Sequence, residues 1–177
     1  MFTKNADESI RALAEVALIA QIRRWLGAVA PTSPQGMGDD CAVVDWPKGM
    51  KQILTTDSLS YGQHFDDSVS AHDAGAKLIK RNLSDIAAMG GRPGEALLNL
   101  LSGGDLQTDW LAAFFDGICD ACQEYDLTIV GGDISTLPNG QFTAVLSLTG
   151  YSEKTPLLRK GAQALSLIHI SEPTRPT

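Results

Sequence analysis

The fold class is decided by residues 108–130, which read TDWLAAFFDGICDACQEYDLTIV. Apolar side chains recur at helical spacing through residues 108–125, and the short apolar run 127–130 follows at once. The stripe consists of Leu111, Phe114, Phe115, Ile118, Cys122 and Tyr125. A long helix with one apolar face, followed directly by a buried strand, predicts a sheet with helices packed on it.

The same patterns continue on both sides of this stretch. They predict further helices at 9–26, ending at Gly27, and at 72–89, ending at Gly90 and Gly91, with strands at 41–44, 52–55, 95–101 and 142–149. Residues 28–38 and 58–71 are predicted to be irregular. The order α, β, β, α, β, α, β, β has few helices and partly consecutive strands. We therefore expect a two-layer α+β fold with a mixed or antiparallel sheet covered by helices.

Composition limits the class of protein. The chain has 177 residues and a net charge of −7, which fits one domain and speaks against nonspecific nucleic-acid binding. No apolar run reaches membrane-spanning length, and no signal peptide precedes the first helix. Three cysteines suit a reducing cytoplasm rather than a disulfide scaffold. The pair Cys119 and Cys122 has CxxC spacing, but its place on the apolar stripe favours core packing.

Aspartates stand beside glycines or at predicted strand ends. Asp40 precedes the strand at 41–44, Asp57 follows Thr55 and Thr56, and Asp133 follows Gly131 and Gly132. Each of these alone is also typical of a cap or turn. Asp85 lies inside a helix, where it caps nothing. The set as a whole therefore favours a site for Mg²⁺ or Ca²⁺, because gathered carboxylates repel one another unless cations neutralise them.

No Walker A sequence or dinucleotide fingerprint occurs. A bound nucleotide would need metal ions and the backbone amides of Gly131 and Gly132 to hold its phosphates, although a plain turn explains these glycines equally well. His64 lies in a loop and is by itself an ordinary exposed histidine. Arg159 is either a surface charge or a phosphate contact.

Five segments in this order and spacing resemble the thiamine-monophosphate kinase family of the AIR synthetase superfamily. They are GMGDDCAVV (36–44), LTTDSL (54–59), GQHF (62–65), NLSDIAAMGGRP (82–93) and VGGDIS (130–135), and the resemblance extends from about residue 18 to residue 163. It implies an AIR synthetase N-terminal domain-like fold and phosphorylation of thiamine monophosphate to thiamine diphosphate with ATP and Mg²⁺. It also implies a homodimer formed through this domain.

The resemblance assigns roles to individual residues. It implies Mg²⁺ ligands at Asp40, Thr55, Thr56, Asp57, Asp85 and Asp133, ATP contacts at Gly132, Asp133 and Arg159, and a substrate contact at His64. No general base is expected. The attacking group is a phosphate monoester whose second pKa is about 6, so it is already ionised at neutral pH.

The chain departs from the family pattern in two places. GGDISTLPNG (131–140) stands where the family usually has GGDTTRG, and LSLIHISEPTRPT (165–177) stands where the family continues into a second α/β domain. The run 165–177 resembles the translation of a sequencing adapter; a genuine tail is the alternative. We expect residues 1–164 to form the ATP- and Mg²⁺-binding domain, which alone should be inactive or turn over poorly and bind Mg-ATP weakly or not at all. Alternatives are a noncatalytic dimerisation or metal-binding module, or another ATP-dependent enzyme of the superfamily.

Overall fold

The computed structural model describes residues 1–158 of the chain. Three α-helices and five strands follow in the predicted order. They are α1 (Glu15–Leu26), β1 (Thr32–Asp39), β2 (Lys51–Ser60), α2 (Ala71–Ala88), β3 (Arg92–Gly103), α3 (Thr108–Tyr125), β4 (Thr128–Leu137) and β5 (Phe142–Ser152).

Four strands form one mixed sheet in the order β2-β5-β3-β4. β5 pairs antiparallel with both β2 and β3. β3 pairs parallel with β4, and helix α3 connects these two strands. β1 lies outside this sheet and contacts β4. The predicted α+β class with a mixed sheet is confirmed.

Helices α2 and α3 cover one face of the sheet. Even-numbered positions of β5 from Phe142 to Leu148 are buried on that side, while the odd-numbered positions between them are only half-buried. The two helices pack closely at two glycines. A Cβ on Gly75 would collide with the carbonyl of Phe114, and one on Gly117 would collide with the carbonyl of His72.

An aromatic cluster anchors the turn after β2 to α3. The Phe65 ring stacks on Trp110 with centroids 6.0 Å apart, and Trp110 stacks on Phe114 at 5.5 Å. Phe142 of β5 meets all three rings edge to face. Because Phe65 directly follows His64, this packing fixes the position of the histidine's turn.

The helix predicted over 9–26 is shorter than expected. Only Glu15–Leu26 is α-helical, and it ends at Gly27 as predicted. Before it, Ala6–Glu8 and Ile10–Ala12 form two 3-10 turns. The Ile10 amide donates to the Leu106 carbonyl, and the Arg11 amide donates to the Gly104 carbonyl. These tertiary hydrogen bonds replace the intrahelical ones that the periodicity predicted.

The prediction of a strand at 41–44 is wrong. These residues have no regular structure, and the extended segment lies earlier, at Thr32–Asp39, which overlaps most of the predicted loop 28–38. Val43 and Val44 are exposed, because the apolar run borders an open face of the sheet instead of entering it. The strand contains one proline and two glycines and lacks apolar alternation, so hydrophobic periodicity did not identify it.

All four strands of the sheet extend beyond their predicted ends, β2 and β4 by the most. β2 continues to Ser60, and β4 continues through Gly131, Gly132 and Asp133 to Leu137, so Asp133 lies within a strand rather than at its end. Gly132 permits this continuation, because a Cβ there would collide with the backbone of Leu98. The pairing shifts register between Ala96 and Leu97, next to the glycines.

Within residues 1–158, no helix is long and apolar enough to cross a membrane. The predictions for Arg159 and for the tail 165–177 concern residues outside the described part.

Candidate active site

A cleft of about 940 Å³ opens on the sheet face that α2 and α3 leave uncovered. Its floor includes Leu97 and Asn99 of β3 and Ser147 and Thr149 of β5, the positions that alternate with buried ones. Ile19 of α1 lines the same cleft and is 40% exposed. The cleft is therefore a partly apolar surface bounded by α1, the sheet and the segment after β1.

Five of the residues predicted for metal or ATP binding line this cleft. They are Asp40, Thr55, Thr56, Gly132 and Asp133. They come from three motifs that are far apart in the sequence, and the fold brings them to one cavity. The carboxylates of Asp40 and Asp133 are both exposed there, so a ligand can reach them.

Local hydrogen bonds fix two of these side chains. The Asp133 carboxylate accepts from the Ser135 hydroxyl at 2.8 Å. The Thr56 hydroxyl donates to the Leu146 carbonyl at 3.0 Å and accepts from the Ser147 hydroxyl at 3.2 Å. Both contacts leave oxygen lone pairs for a cation, because a carboxylate or hydroxyl oxygen accepts more than one interaction.

Asp57 and Asp85 lie on the other side of β2. Strand side chains alternate between faces, so Thr55 and Asp57 share the face of the buried Ile53 and Leu59, which is turned toward α2. The Thr55 hydroxyl donates to Asp85 Oδ2 at 2.8 Å. Thr55, which also lines the cleft, thus connects Asp85 with the residues of the open face.

Arg81 of α2 binds the Asp57 carboxylate with two parallel hydrogen bonds. Its Nε donates to Oδ2 and its Nη2 donates to Oδ1, both at 2.9 Å. The Ser58 amide also donates to Oδ1 at 2.8 Å. Sequence reasoning did not identify Arg81, although its position four residues before Asp85 on one helix was a usable signal.

His64 is half-buried in the turn after β2 and does not line the cleft. The Ser60 amide donates to His64 Nδ1 at 2.9 Å, which makes Nδ1 the acceptor and assigns the ring proton to Nε2. Lys77 Nζ donates to the His64 carbonyl at 2.6 Å. The imidazole is therefore held by its backbone and by Nδ1, with Nε2 as its remaining donor.

A second cavity, of about 460 Å³, lies beside this turn. Tyr61, Phe65 and Trp110 give it aromatic walls, and Asp66 and Asp67 line it too. A hydrogen bond to Asp67, followed by burial and the charges of Asp67 and Asp66, raises the pKa of Tyr61. Hydrogen bonds from the Ser68 hydroxyl and amide lower the pKa of Asp66. The cavity is thus aromatic and negatively charged near neutral pH.

The CxxC pair packs in the core, as predicted. Cys122 is buried, and the Cys119 thiol donates to the Trp25 carbonyl at 3.2 Å. Burial is the main cause that raises the pKa of Cys119 to about 11 and that of Cys122 to about 12. Both thiols therefore stay protonated at neutral pH and are unsuited to redox or nucleophilic chemistry.

The donor set of the cleft fits a magnesium ion in its chemistry. The carboxylate oxygens of Asp40 and Asp133 and the hydroxyl oxygen of Thr56 are hard ligands of the kind that Mg²⁺ prefers, whereas the Thr55 hydroxyl is turned toward Asp85. Within the described residues, no three His, Cys, Asp or Glu side chains form a group that could hold a metal ion. Nearby hydroxyls and Arg81 contact the acidic side chains instead, so the structure distributes the predicted ligands over two sides of β2.

Comparison with known proteins gives consistent matches. The family model for the N-terminal domain of AIR synthase related proteins matches residues 38–152. Thiamine-monophosphate kinase of Rhodopirellula baltica is 37% identical over 141 residues, covering 75% of this chain and 44% of the relative. The crystal structure of thiamine-monophosphate kinase from Stenotrophomonas maltophilia K279a is 33% identical, with a TM-score of 0.65, covering 83% of this chain and 45% of that one.

A further structure, AaThiL complexed with AMPPCP and TMP, is 34% identical with a TM-score of 0.62. The match covers 92% of this chain and 48% of that chain. Because the family model matches more than half of the sequence, the chain belongs to the family of AIR synthase related proteins, as their N-terminal domain. The resemblance to thiamine-monophosphate kinases is confirmed. The chain spans less than half the length of each of these three relatives.

Proposed function

We propose that this chain serves the ATP-dependent phosphorylation of thiamine monophosphate to thiamine diphosphate. The observation that carries the proposal is the cleft, which collects Asp40, Thr56 and Asp133 from three separate motifs. The relatives from Rhodopirellula and Stenotrophomonas are thiamine-monophosphate kinases, and AaThiL binds AMPPCP and TMP, which supports ATP as phosphoryl donor. Residues 1–164 are proposed to form the ATP- and magnesium-binding domain, which would work in the cytoplasm.

The proposed ligand set uses both sides of β2. Mg²⁺ would be held by Asp40, Thr55, Thr56, Asp57, Asp85 and Asp133, and ATP by Gly132, Asp133 and Arg159. When bound, Mg²⁺ supplies charge neutralisation between two polyanions and in the transition state. Thr55 supports a shared site, since it lines the cleft and also holds Asp85.

The chain's own residues would position the two phosphates. Gly131 and Gly132 line the cleft on β4, and their backbone amides are the proposed contacts to the ATP phosphates. Asp133, immediately after Gly132, would orient the metal-bound phosphate through a carboxylate that Ser135 holds in place. No residue need abstract a proton, because the acceptor phosphate, with a second pKa of about 6, is ionised at neutral pH.

The turn after β2 would bind the thiamine phosphate. His64 Nε2 is the proposed donor to the substrate, since Nδ1 accepts from Ser60. The neighbouring cavity suits a ring with positive charge such as thiazolium. Aromatic faces attract cations, and Asp66 and Asp67 add negative charge. Both groups lie on the one turn that the aromatic cluster fixes.

We also propose that two copies associate through the open sheet face. Leu54 is 70% exposed and Leu97 is 46% exposed on that face. Apolar side chains grouped on a sheet surface favour burial against a partner. A second copy of the chain would bury these leucines against its own open sheet face, so that the same surface lies on both sides of the interface.

Nucleotide binding by the chain tests the proposed site. Isothermal titration with AMPPCP should show binding that requires Mg²⁺, and Asp133→Asn should weaken it about tenfold or more, as loss of a charged metal ligand does. Asp116→Asn is the matched control, because this exposed carboxylate lies on α3, away from the cleft. Equal affinity of the Asp133 variant and the unmodified chain, or binding indifferent to Mg²⁺, would contradict the proposed site.

A further inference from the structure

The segment that precedes α1 runs along the cavity beside the turn after β2. Phe2 forms an antiparallel bridge with Leu106, two residues before α3. The Thr3 amide donates to the Asp105 carbonyl at 2.9 Å, and the Met1 carbonyl accepts at 3.0 Å from the amide that follows Leu106. These two hydrogen bonds flank Phe2, so the backbone fixes the place from which its side chain extends.

A second set of contacts holds the same segment further along the chain. The Ile10 amide donates to the Leu106 carbonyl at 2.9 Å, and Arg11 Nη2 donates to Asn139 Oδ1 at 2.9 Å. None of these contacts uses the side chain of Phe2. A substitution of Phe2 is therefore expected to leave the segment in place.

Phe2 adds an aromatic wall to the cavity from outside the matched domain. Its ring meets the Tyr61 ring edge to face, with centroids 5.4 Å apart, and both residues line the cavity together with Phe65 and Trp110. The family model matches residues 38–152, which include the other three rings but not Phe2. This wall is thus an addition that the segment before α1 makes to the family domain.

The cavity also carries negative charge that no cationic side chain balances. Asp66 and Asp67 both line it, and neither takes part in an ion pair within residues 1–158. Ser68 holds the Asp66 carboxylate through its amide and its hydroxyl, which orients the charge without neutralising it. Aromatic rings attract cations, and carboxylates add to that attraction. The cavity therefore favours a positively charged ring over a neutral ring of the same shape.

We infer that Phe2 is a specificity-determining residue for the cationic ring of the substrate. The inference rests on the proposed binding of thiamine monophosphate at the turn after β2. Phe2 places a further aromatic ring against the thiazolium, and its bridge to Leu106 holds it there. The segment before α1 thereby completes a site whose other aromatic walls belong to the matched domain.

Isothermal titration with two ligands tests this role. They are thiamine monophosphate and its neutral 3-deaza analogue, in which a thiophene ring replaces the thiazolium. Phe2→Leu should weaken binding of thiamine monophosphate about threefold to tenfold, because a cation–π contact is lost while the apolar bulk is kept. Binding of the neutral analogue should not change, and Phe2→Trp should retain the preference for the charged ring. Tyr125→Leu is the matched control, since it removes an aromatic ring from α3 outside the cavity.

Two further readouts locate the effect. Thiamine monophosphate should quench the fluorescence of Trp110, which lines the cavity, and Trp110→Phe should remove most of the quenching. The Thr3 amide should be protected from hydrogen exchange in the unmodified chain and in Phe2→Leu, because its bond to Asp105 involves backbone atoms alone. This protection shows that the variant keeps the segment in place.

Unchanged affinity for thiamine monophosphate in Phe2→Leu, or an equal loss for the neutral analogue, overturns the role of Phe2. An unprotected Thr3 amide in the unmodified chain overturns it as well. If Asp67→Asn weakens binding while Phe2→Leu does not, only this inference fails. If the unmodified chain shows no quenching and Asp67→Asn has no effect, the cavity is not the substrate site, and that part of the proposed function fails together with the inference.

Discussion

At the scale of single residues, the three cysteines differ in exposure and therefore in reactivity. Cys41 is exposed and lines the cleft, whereas Cys122 is buried and Cys119 is partly buried. The thiolate is the reactive form of cysteine. With pKa values of about 11 and about 12, Cys119 and Cys122 carry very little thiolate at pH 8. One cysteine thus reports on the cleft, and the other two report on the core.

Labelling with a thiol reagent such as DTNB should show this difference. At pH 8 we expect one fast thiol, which Cys41→Ser removes, and two slow thiols. The thiolate fraction of Cys119 and Cys122 increases as the pH approaches their raised pKa values, so these two thiols should react faster as the pH rises toward 11. ATP with Mg²⁺ should slow the fast thiol, since Cys41 lines the proposed nucleotide site. Three equally fast thiols would contradict the burial of Cys119 and Cys122 in the structure. A fast thiol that Mg-ATP does not protect would contradict the proposed nucleotide site.

Residues of the site could be predicted from motifs, but the face on which each lies could not. The motifs identified Asp40, Gly132 and Asp133, which do line the cleft. They grouped Asp57 and Asp85 with these, although both lie on the side of β2 toward α2. Strand parity was the signal available: Asp57 shares its parity with the apolar positions Ile53 and Leu59. Alternation can assign Asp57 to a face only if the strand is known to include it. The sequence predicted β2 only at 52–55, so Asp57 fell outside the predicted strand.

At the scale of elements, long helices with a continuous apolar stripe were predicted well. The helix at 108–125 matches α3 at both ends, and the helix at 72–89 matches α2 within one residue. Failures occurred where the backbone bonds to distant parts of the chain. Residues 9–11 pair with the loop before α3, and β1 is a proline- and glycine-containing segment without apolar alternation. Hydrophobic periodicity reflects only which side chains are buried, so it cannot predict backbone hydrogen bonds to distant segments.

The α2–α3 contact provides a test in which two effects have opposite signs. Gly75→Ala should stabilise a helix by about 1 kcal/mol on propensity alone. In this structure the new methyl group would meet the Phe114 carbonyl, and overpacking costs about 1–3 kcal/mol. The clash is with backbone, which yields less than a flexible side chain, so the cost lies at the upper end of this range. We therefore expect a net loss of about 2 kcal/mol in the free energy of unfolding, measured by urea denaturation.

Ala87→Gly on the exposed side of α2 controls for propensity and should cost about 1 kcal/mol. A stabilised Gly75→Ala variant would mean that α2 and α3 are not in close contact at this point.

At the scale of the whole molecule, the two faces of the sheet are covered unequally. α2 and α3 bury one face, while the other carries the cleft and exposed apolar side chains such as Leu54 and Leu97. β2 and β4 are the edge strands of this sheet, and β1 contacts β4. A second copy on the open face would bury these leucines and would narrow the mouth of the cleft at once. Association and nucleotide binding are therefore expected to be coupled.

Light scattering coupled to size exclusion tests this arrangement. The chain should elute as a dimer, and Leu97→Lys should shift it toward the monomer, because a charge on the apolar face must be desolvated on association. Leu158→Lys changes another exposed leucine, which lies beyond β5 and outside the cleft, and it should leave the dimer intact. Since Leu97 also lines the cleft, the monomeric variant should bind AMPPCP more weakly, whereas Leu158→Lys should not. A monomer at every concentration of the unmodified chain would remove the second copy from the proposed function.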